Sequence, residues 1–393
     1  MKYKLGDIVK EIIDYRGKTP KKLGFDWSES GIRAFSAKNI KTGQIVQPES
    51  IRYISEENYP KWMKQEVERG TILITSEAPF GQIFYWNSDE KIVLSQRLFA
   101  IKIKDEFDSE FVYYQMTSDR FQSELKARAT GSTVTGLRQP ELMKCEIDLP
   151  DLETQKKIVR ILSTLDQKIE LNNQQSKLLE TIAFTVYDDF INSINKSNSK
   201  KVTIGQIADC KLGGTPSRVR SEYWGGSINW INSGAINSFR ITEPSELITE
   251  EGFKHTSTYM LPKGTTVLAI TGATLGQVSR MEIEGCANQS VIGIIGNDAI
   301  SNEYIYLTTV RNIQEIINRQ TGGAQQHINK NDIKEFEILL PNQQLMSSFT
   351  NEAKPIFEKI AQNEFENKNL SLLRDTLLPK LMSDEIKLDK VKP

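Results

Sequence analysis

The chain has 393 residues, 38% hydrophobic and 26% charged, with a formal net charge of −1. That length is ample for two or three domains with sizeable cores, and the composition excludes a disordered or fibrous protein. Basic and acidic residues nearly cancel in each segment, 23 against 22 over 1–150 and 12 against 14 over 201–341, so nucleic acid could be held only by local patches or with a partner's help. In chain order, the first 150 residues read as a mixed α+β domain. Thr71 to Thr75, Gln82 to Trp86 and Arg97 to Lys104 are short and rich in β-branched and aromatic residues, as strands are. Phe107 to Arg128 reads as one helix, and Gly, Ser, Thr and Pro punctuate the rest. From Leu149-Pro150 to about Asn195 there is neither Gly nor Pro, which predicts one long helix.

The second half repeats the first. Leu5-Gly6-Asp7-Ile8 is echoed by Ile204-Gly205-Gln206-Ile207, Thr19-Pro20 by Thr215-Pro216, and Gly70-Thr71-Ile72-Leu73 by Gly264-Thr265-Thr266-Val267. Gly81-Gln82 recurs as Gly276-Gln277, Ser95-Gln96 as Asn288-Gln289, and Glu110-Phe111-Val112-Tyr113 as Glu303-Tyr304-Ile305-Tyr306. Thr130-Gly131 and Leu149-Pro150 return as Thr321-Gly322 and Leu340-Pro341. The conserved order makes this a duplication. It predicts a domain at 1–150, a spacer helix at 151–195, a second domain at 196–341 and a second spacer helix at 342–393.

Ile158, Leu162, Leu165, Ile169, Asn172, Ser176, Leu179, Ala183, Val186 and Phe190 follow a 4,3 spacing, a heptad seam with two polar entries. The second copy gives Phe349, Ala353, Ile356, Ile360, Asn363, Asn367, Leu370, Arg374, Leu377 and Leu381. Arg374 breaks the apolar rule, with Leu373 available beside it, and Pro355 should kink the second helix. One amphipathic helix of this length cannot hide its stripe alone. The natural solution is an intramolecular antiparallel coiled coil between two similar α+β domains, related by a pseudo-twofold; the alternative is that each helix packs on its own domain or on another protein. The 33 residues from Ile158 to Phe190 would span ~50 Å, at ~1.5 Å per residue. One DNA turn is about 34 Å, so two such heads suit a duplex with two separated half-sites.

Three motifs carry a family resemblance. They are Lys211-Leu-Gly-Gly-Thr-Pro-Ser-Arg218 with Tyr223-Trp224-Gly225-Gly226 and Ile228-Asn229-Trp230, the loop Thr130 to Leu137, and Leu149-Pro150 leading into Gln155 to Val159 and Leu165 to Ile169. Over essentially its whole length the chain resembles the specificity (S) subunit of type I restriction–modification systems. Arg16-Gly17-Lys18-Thr19-Pro20 departs from the family's Gly-Gly-Thr-Pro form, and Asn342-Gln343-Gln344-Leu345 is a loose version of the second spacer opening. The resemblance implies two target-recognition domains that each read part of a bipartite DNA sequence. It implies spacer helices that hold two modification (methyltransferase) subunits for adenine methylation, with ATP-dependent restriction (translocase–nuclease) subunits added for cleavage. S-adenosylmethionine, ATP and Mg would sit on those partners and no cofactor on this chain.

The charge pattern places candidate DNA contacts in matching regions of both copies. The first copy offers Arg16, Lys18, Lys21, Lys22, Lys38, Asn39, Arg128, Ser132, Thr133 and Arg138, and the second Lys211, Thr215, Ser217, Arg218, Arg220, Asn232, Gln325, Gln326, His327 and Lys330. Lys and Arg suit phosphates, Arg, Asn and Gln suit base edges, and hydroxyl-rich Gly loops let the backbone approach phosphate. Trp224 and Trp230 read as core anchors before stacking platforms. No phosphate-binding Gly-Lys-Ser/Thr loop, no methyltransferase motif and no nuclease constellation is found, so no catalytic residue is assigned. With only His255 and His327, and three cysteines (Cys145, Cys210, Cys286) far apart, neither a metal cage nor a disulfide framework is expected. The start lacks a signal peptide's apolar core and no run suits a membrane helix, which points to the cytoplasm. The competing readings are a duplicated coiled-coil scaffold for proteins, without DNA specificity, and an enzyme.

Overall fold

A computed structural model describes residues 1–129, 136–194, 200–237, 239–297, 300–319, 327–383 and 385–386. The chain forms two compact units, Met1–Gln167 with Leu370–Pro393, and Lys168–Asn369.

The first unit is built on an antiparallel sheet in the order Val9–Asp14, Leu98–Ile103, Thr71–Thr75, Ile83–Trp86. Side chains alternate across it as the period of two requires. Ile72, Ile74, Phe99 and Ile101 join one core, while Leu73, Leu98 and Ala100 join the other. All five residues of Thr71–Thr75 are therefore buried. The first core is closed by the helix Ser109–Thr117. The second lies under Trp62 and a three-stranded sheet of Arg52–Ile54, Ile32–Phe35 and Ile92–Leu94, the last two parallel.

The second unit repeats this plan. Its sheet runs Ala208–Leu212, Val291–Gly296, Thr266–Ala269, Val278–Met281, and adds Arg240–Ile241 in parallel. Glu246–Ile248, Trp224–Ile231 and Cys286–Ala287 form its smaller sheet. The single helix expected over Phe107 to Arg128 is instead two, Ser109–Thr117 and Asp119–Ala127. Ser118 adopts extended backbone (ψ 147°) and its side chain accepts a hydrogen bond from Phe121 N–H, capping the second helix. The counterpart in the second copy, Asn302–Asn318, is unbroken.

Two long helices, Leu152–Ser193 and Gln343–Met382, supply both units. The second is assigned as helix straight through Pro355, which lies on its exposed side. In the second unit the pairing is antiparallel: Asn172 meets Asn367, Ser176 meets Asn363, and Phe190 meets Phe349 at 4.7 Å between ring centroids. In the first unit Ile158 and Leu162 share a core with Leu378 and Leu381, and Asp166 meets Arg374. Ile360 is buried, while Leu165, Ile169, Leu179, Val186, Ile356, Leu370 and Leu377 are half-buried along the same stripe. Fully burying an aliphatic or aromatic seam side chain contributes about 1.5–3 kcal/mol.

The pairing is not an alternative to packing on the domains, because both occur together. Ala183, Tyr187, Phe190, Phe349, Ala353 and Phe357 share one core with Ile204, Tyr304 and Leu307 of the second domain. Two details differ from expectation. Leu373 is 47% exposed and does not fill the seam. Arg374 keeps the seam position instead, because Asp166 accepts its hydrogen bond at 2.6 Å, and Asp166 also accepts from Tyr114 at 2.6 Å.

Candidate nucleic-acid interface

In each unit, three loops converge at one end of the main sheet, held by the same backbone hydrogen bonds. In the first, Ser95 N–H donates to Phe35 C=O (2.7 Å), Ser76 N–H to Arg97 C=O (2.8 Å), and Leu137 N–H to Ser76 C=O (2.8 Å). In the second, Asn288 donates to Ile231 (2.9 Å), Ile270 to Ser290 (3.0 Å), and Ile328 to Ile270 (3.0 Å). These bonds gather the turn after the inner strand of the smaller sheet, the turn after the central strand, and the chain returning from the Gly loop. The edge strand arrives at the same place. Asp14 lies opposite Phe99, and Gly213 N–H donates to Val291 C=O at 3.0 Å. At position 213 only glycine fits, since a Cβ would stand 2.1 Å from the Asn288 carbonyl oxygen.

The side chains set on this common frame differ. Lys38, Gln96 and Arg97 in the first unit correspond to Gly234, Gln289 and Ser290 in the second. In the second unit three of the candidate cations are matched by acids. Arg218 donates to both Glu246 oxygens at 2.6 and 2.7 Å with its guanidinium 3.6 Å from the Trp224 ring centroid. Lys211 pairs with Asp209 (3.5 Å) and Arg220 with Glu222 (3.5 Å). In the first unit, no ion pair engages Lys18, Lys21, Lys22, Lys38, Arg52 or Arg138 among the described residues. Lys18 lies 4.4 Å from the Tyr15 ring centroid, and Lys22 donates to Gly17 C=O at 2.8 Å.

A family model described as the type I restriction modification DNA specificity domain matches residues 1–181 and again 196–352. The chain belongs to this family. The MjaIX specificity subunit of Methanocaldococcus jannaschii is 24% identical, over 86% of this chain and 83% of that protein. The HindI specificity subunit of Haemophilus influenzae is 22% identical, over 88% and 94%. A crystal structure of a type I restriction–modification S subunit from M. genitalium shares the fold, with TM-score 0.59 over 97% of this chain and 95% of that one at 17% identity. The protein is thus a DNA specificity chain with two domains of the family.

For a DNA specificity chain, the residues singled out by sequence stand in differing surroundings. Lys18, Lys21, Lys22, Lys38, Arg138 and Ser217 have at least part of their side chains open to solvent, as does Arg220, which pairs with Glu222. Arg218, Lys211 and Thr215 are open as well but engaged, Thr215 donating to Gln289. Asn232 caps a short turn, its side-chain oxygen accepting from Gly234 N–H at 2.9 Å. His327 is exposed and Lys330 half-buried at the start of a short helix. Ser132, Thr133, Gln325 and Gln326 lie outside the described residues.

Three residues are better explained by architecture. Asn39 is buried; its Oδ1 accepts from Ser36 N–H (3.0 Å) and Oγ (2.9 Å), and its Nδ2 donates to Gln47 C=O and Ser50 Oγ. No part of that amide is left for a base, so Asn39 is withdrawn as a contact. Arg16 lies on the Phe99 ring (4.8 Å) and is held by Asp14 at 2.7 Å, so its charge is largely matched. Arg128 is likewise tied to Glu124 at 3.1 Å. Trp230 is buried and donates to Gly214 C=O at 3.0 Å, an anchor as expected, and Trp224 donates to Ser217 C=O. Sequence reasoning missed Trp27, Arg52, Gln96 and Arg97, which line one cleft with Lys38. Among the described residues no group of His, Cys, Asp and Glu could hold a metal, and no helix is long and apolar enough to cross a membrane.

Proposed function

We propose that the two domains read different halves of a bipartite duplex target, and that the paired helices fix their separation and hold two modification subunits. Those subunits would transfer methyl groups from S-adenosylmethionine to adenine, and ATP-dependent restriction subunits would join for cleavage. This chain would supply the sequence choice and no catalytic group. The observation that carries the reading is the loop frame built twice by equivalent hydrogen bonds and dressed with different side chains. A shared frame presents both heads to DNA in the same manner. The substitutions Lys38 for Gly234 and Arg97 for Ser290 change which edges each head can bond. A protein scaffold has no need to carry the same loop frame twice with different polar side chains set on it.

The test is to map methylated adenines in cells that carry this chain with a compatible modification subunit. A split motif with a fixed gap is expected. Methylation without such a motif would remove the reading.

A further inference from the structure

The first unit holds a cleft of about 290 Å³ among the convergent loops, lined in part by Ser36, Lys38, Ser50, Arg52, Arg97 and Trp27. We propose that it seats a backbone phosphate of the bound duplex, a contact that the second domain lacks. The proposal rests on the DNA reading above and deepens it.

Three cations face the cleft, and only Arg97 has a carboxylate partner, Glu77 at 3.1 Å. Lys38 and Arg52 are exposed and, among the described residues, meet no carboxylate. Like charges held around a concave surface without counter-charges attract an anion. Two of the three are also held in place. Arg52 rests 5.1 Å from the Trp27 ring centroid. Arg97 sits in the left-handed region, φ +62°, which is costly for a residue other than glycine, and Ser76 bonds its carbonyl through both N–H (2.8 Å) and Oγ (3.2 Å). The hydroxyls of Ser36 and Ser50 spend their protons inside the fold, on Asn39 Oδ1 and Gln47 C=O, so the cations supply the donors that suit a phosphate.

The second unit shows what the same place looks like without it. Arg52 lies opposite Ala34 and Glu246 opposite Trp230, each one residue before the carbonyl that accepts the frame's hydrogen bond. Glu246 therefore stands where Arg52 stands, Gly234 where Lys38 stands, and Ser290 where Arg97 stands. The cation set is replaced by an acid already bound to Arg218.

The experiment measures duplex affinity of the full chain, assembled with its modification subunit, across a salt series. The comparison uses wild type, the double variant K38A/R52A, the charge-retaining K38R/R52K, and Lys10→Ala at the opposite end of the edge strand. Losing one phosphate contact should flatten the log–log salt dependence by about 0.9. That flattening is expected for K38A/R52A alone, while K38R/R52K and Lys10→Ala keep the wild-type slope. A wild-type slope in K38A/R52A overturns the proposal. Inorganic phosphate at constant ionic strength would compete for the same seat and should weaken wild type but not K38A/R52A; weakening of both alike would place the phosphate elsewhere and also overturns the proposal. If wild type shows no salt-dependent duplex affinity at all, the DNA reading falls and takes the cleft with it, a result distinct from equal slopes.

Discussion

Glu110 and Glu303 occupy the same position in the two copies but live in different surroundings. Glu303 is buried and accepts from Arg280 at 2.9 Å. In the first copy Tyr85 stands where Arg280 stands, and its hydroxyl contacts Ser109 instead (3.4 Å). Glu110 is therefore left half-buried beside Asp108 and Asp166, and burial first, then those two carboxylates, push it up to about 7. Its folded value lies above the usual 4.5, so the folded state binds the extra proton between those limits. The associated stability is fully present below about pH 4.5 and is lost as pH rises through 7. Glu110→Gln removes the charge and keeps the shape. Allowing for solvent screening, the variant should gain about 1–2 kcal/mol over wild type at pH 8 and little at pH 5. Chemical denaturation at the two pH values checks this; an equal difference at both would mean that the carboxyl does not titrate near neutrality.

At the scale of elements, the seam carries its own register signal. Asn172 Nδ2 donates to Asn367 Oδ1 (2.9 Å) and to Glu366 (3.0 Å), while Asn363 Nδ2 donates to Ser176 Oγ (3.2 Å) and Gln175 (2.9 Å). In the repeat Asn172 corresponds to Asn363 and Ser176 to Asn367, so equivalent residues exchange partners across the pair. Buried amide donors need acceptors, and a slip of one heptad would move Asn363 from Ser176 to face Ile169 or Ala183. Four residues inserted between Leu171 and Leu178 would rotate everything downstream by ~40° on an ideal helix and break this set. The gap between half-sites should change, or methylation should cease; an unaltered gap at full activity would disprove the spacer role. The heptads and the repeat were legible because they are periodic along the chain. Ser118 was not, because its capping role appears only once a helix ends there. Nor were the ion pair Glu246–Arg218 or the cleft, since counting charges in a run cannot see an acid 28 positions away or cations at 38, 52 and 97 brought together by strand pairing.

For the whole molecule, each domain is a separable reader only if its junction with the helices survives exchange. In the second unit that junction is chemical as well as apolar. Arg240 is buried, 4.5 Å from the Phe357 ring centroid and paired with Glu282, while Lys368 reaches Glu243 at 2.6 Å. Glu180 and Glu364, raised by burial, are drawn back by Arg240. Replacing residues 201–341 with those of a relative should change one half of the methylated motif and leave the other half intact. This outcome requires the incoming domain to bring an arginine and an acid to positions 240 and 282. Without the acid, a buried guanidinium loses its carboxylate, a defect of about 3–5 kcal/mol. Two exchanges, one that brings the pair and one that brings the arginine without the acid, separate the effects in a methylation map. The first should yield a hybrid motif, and the second should fail through instability. A change in both halves of the motif, from an exchange that keeps the pair, would show that the two domains do not read independently.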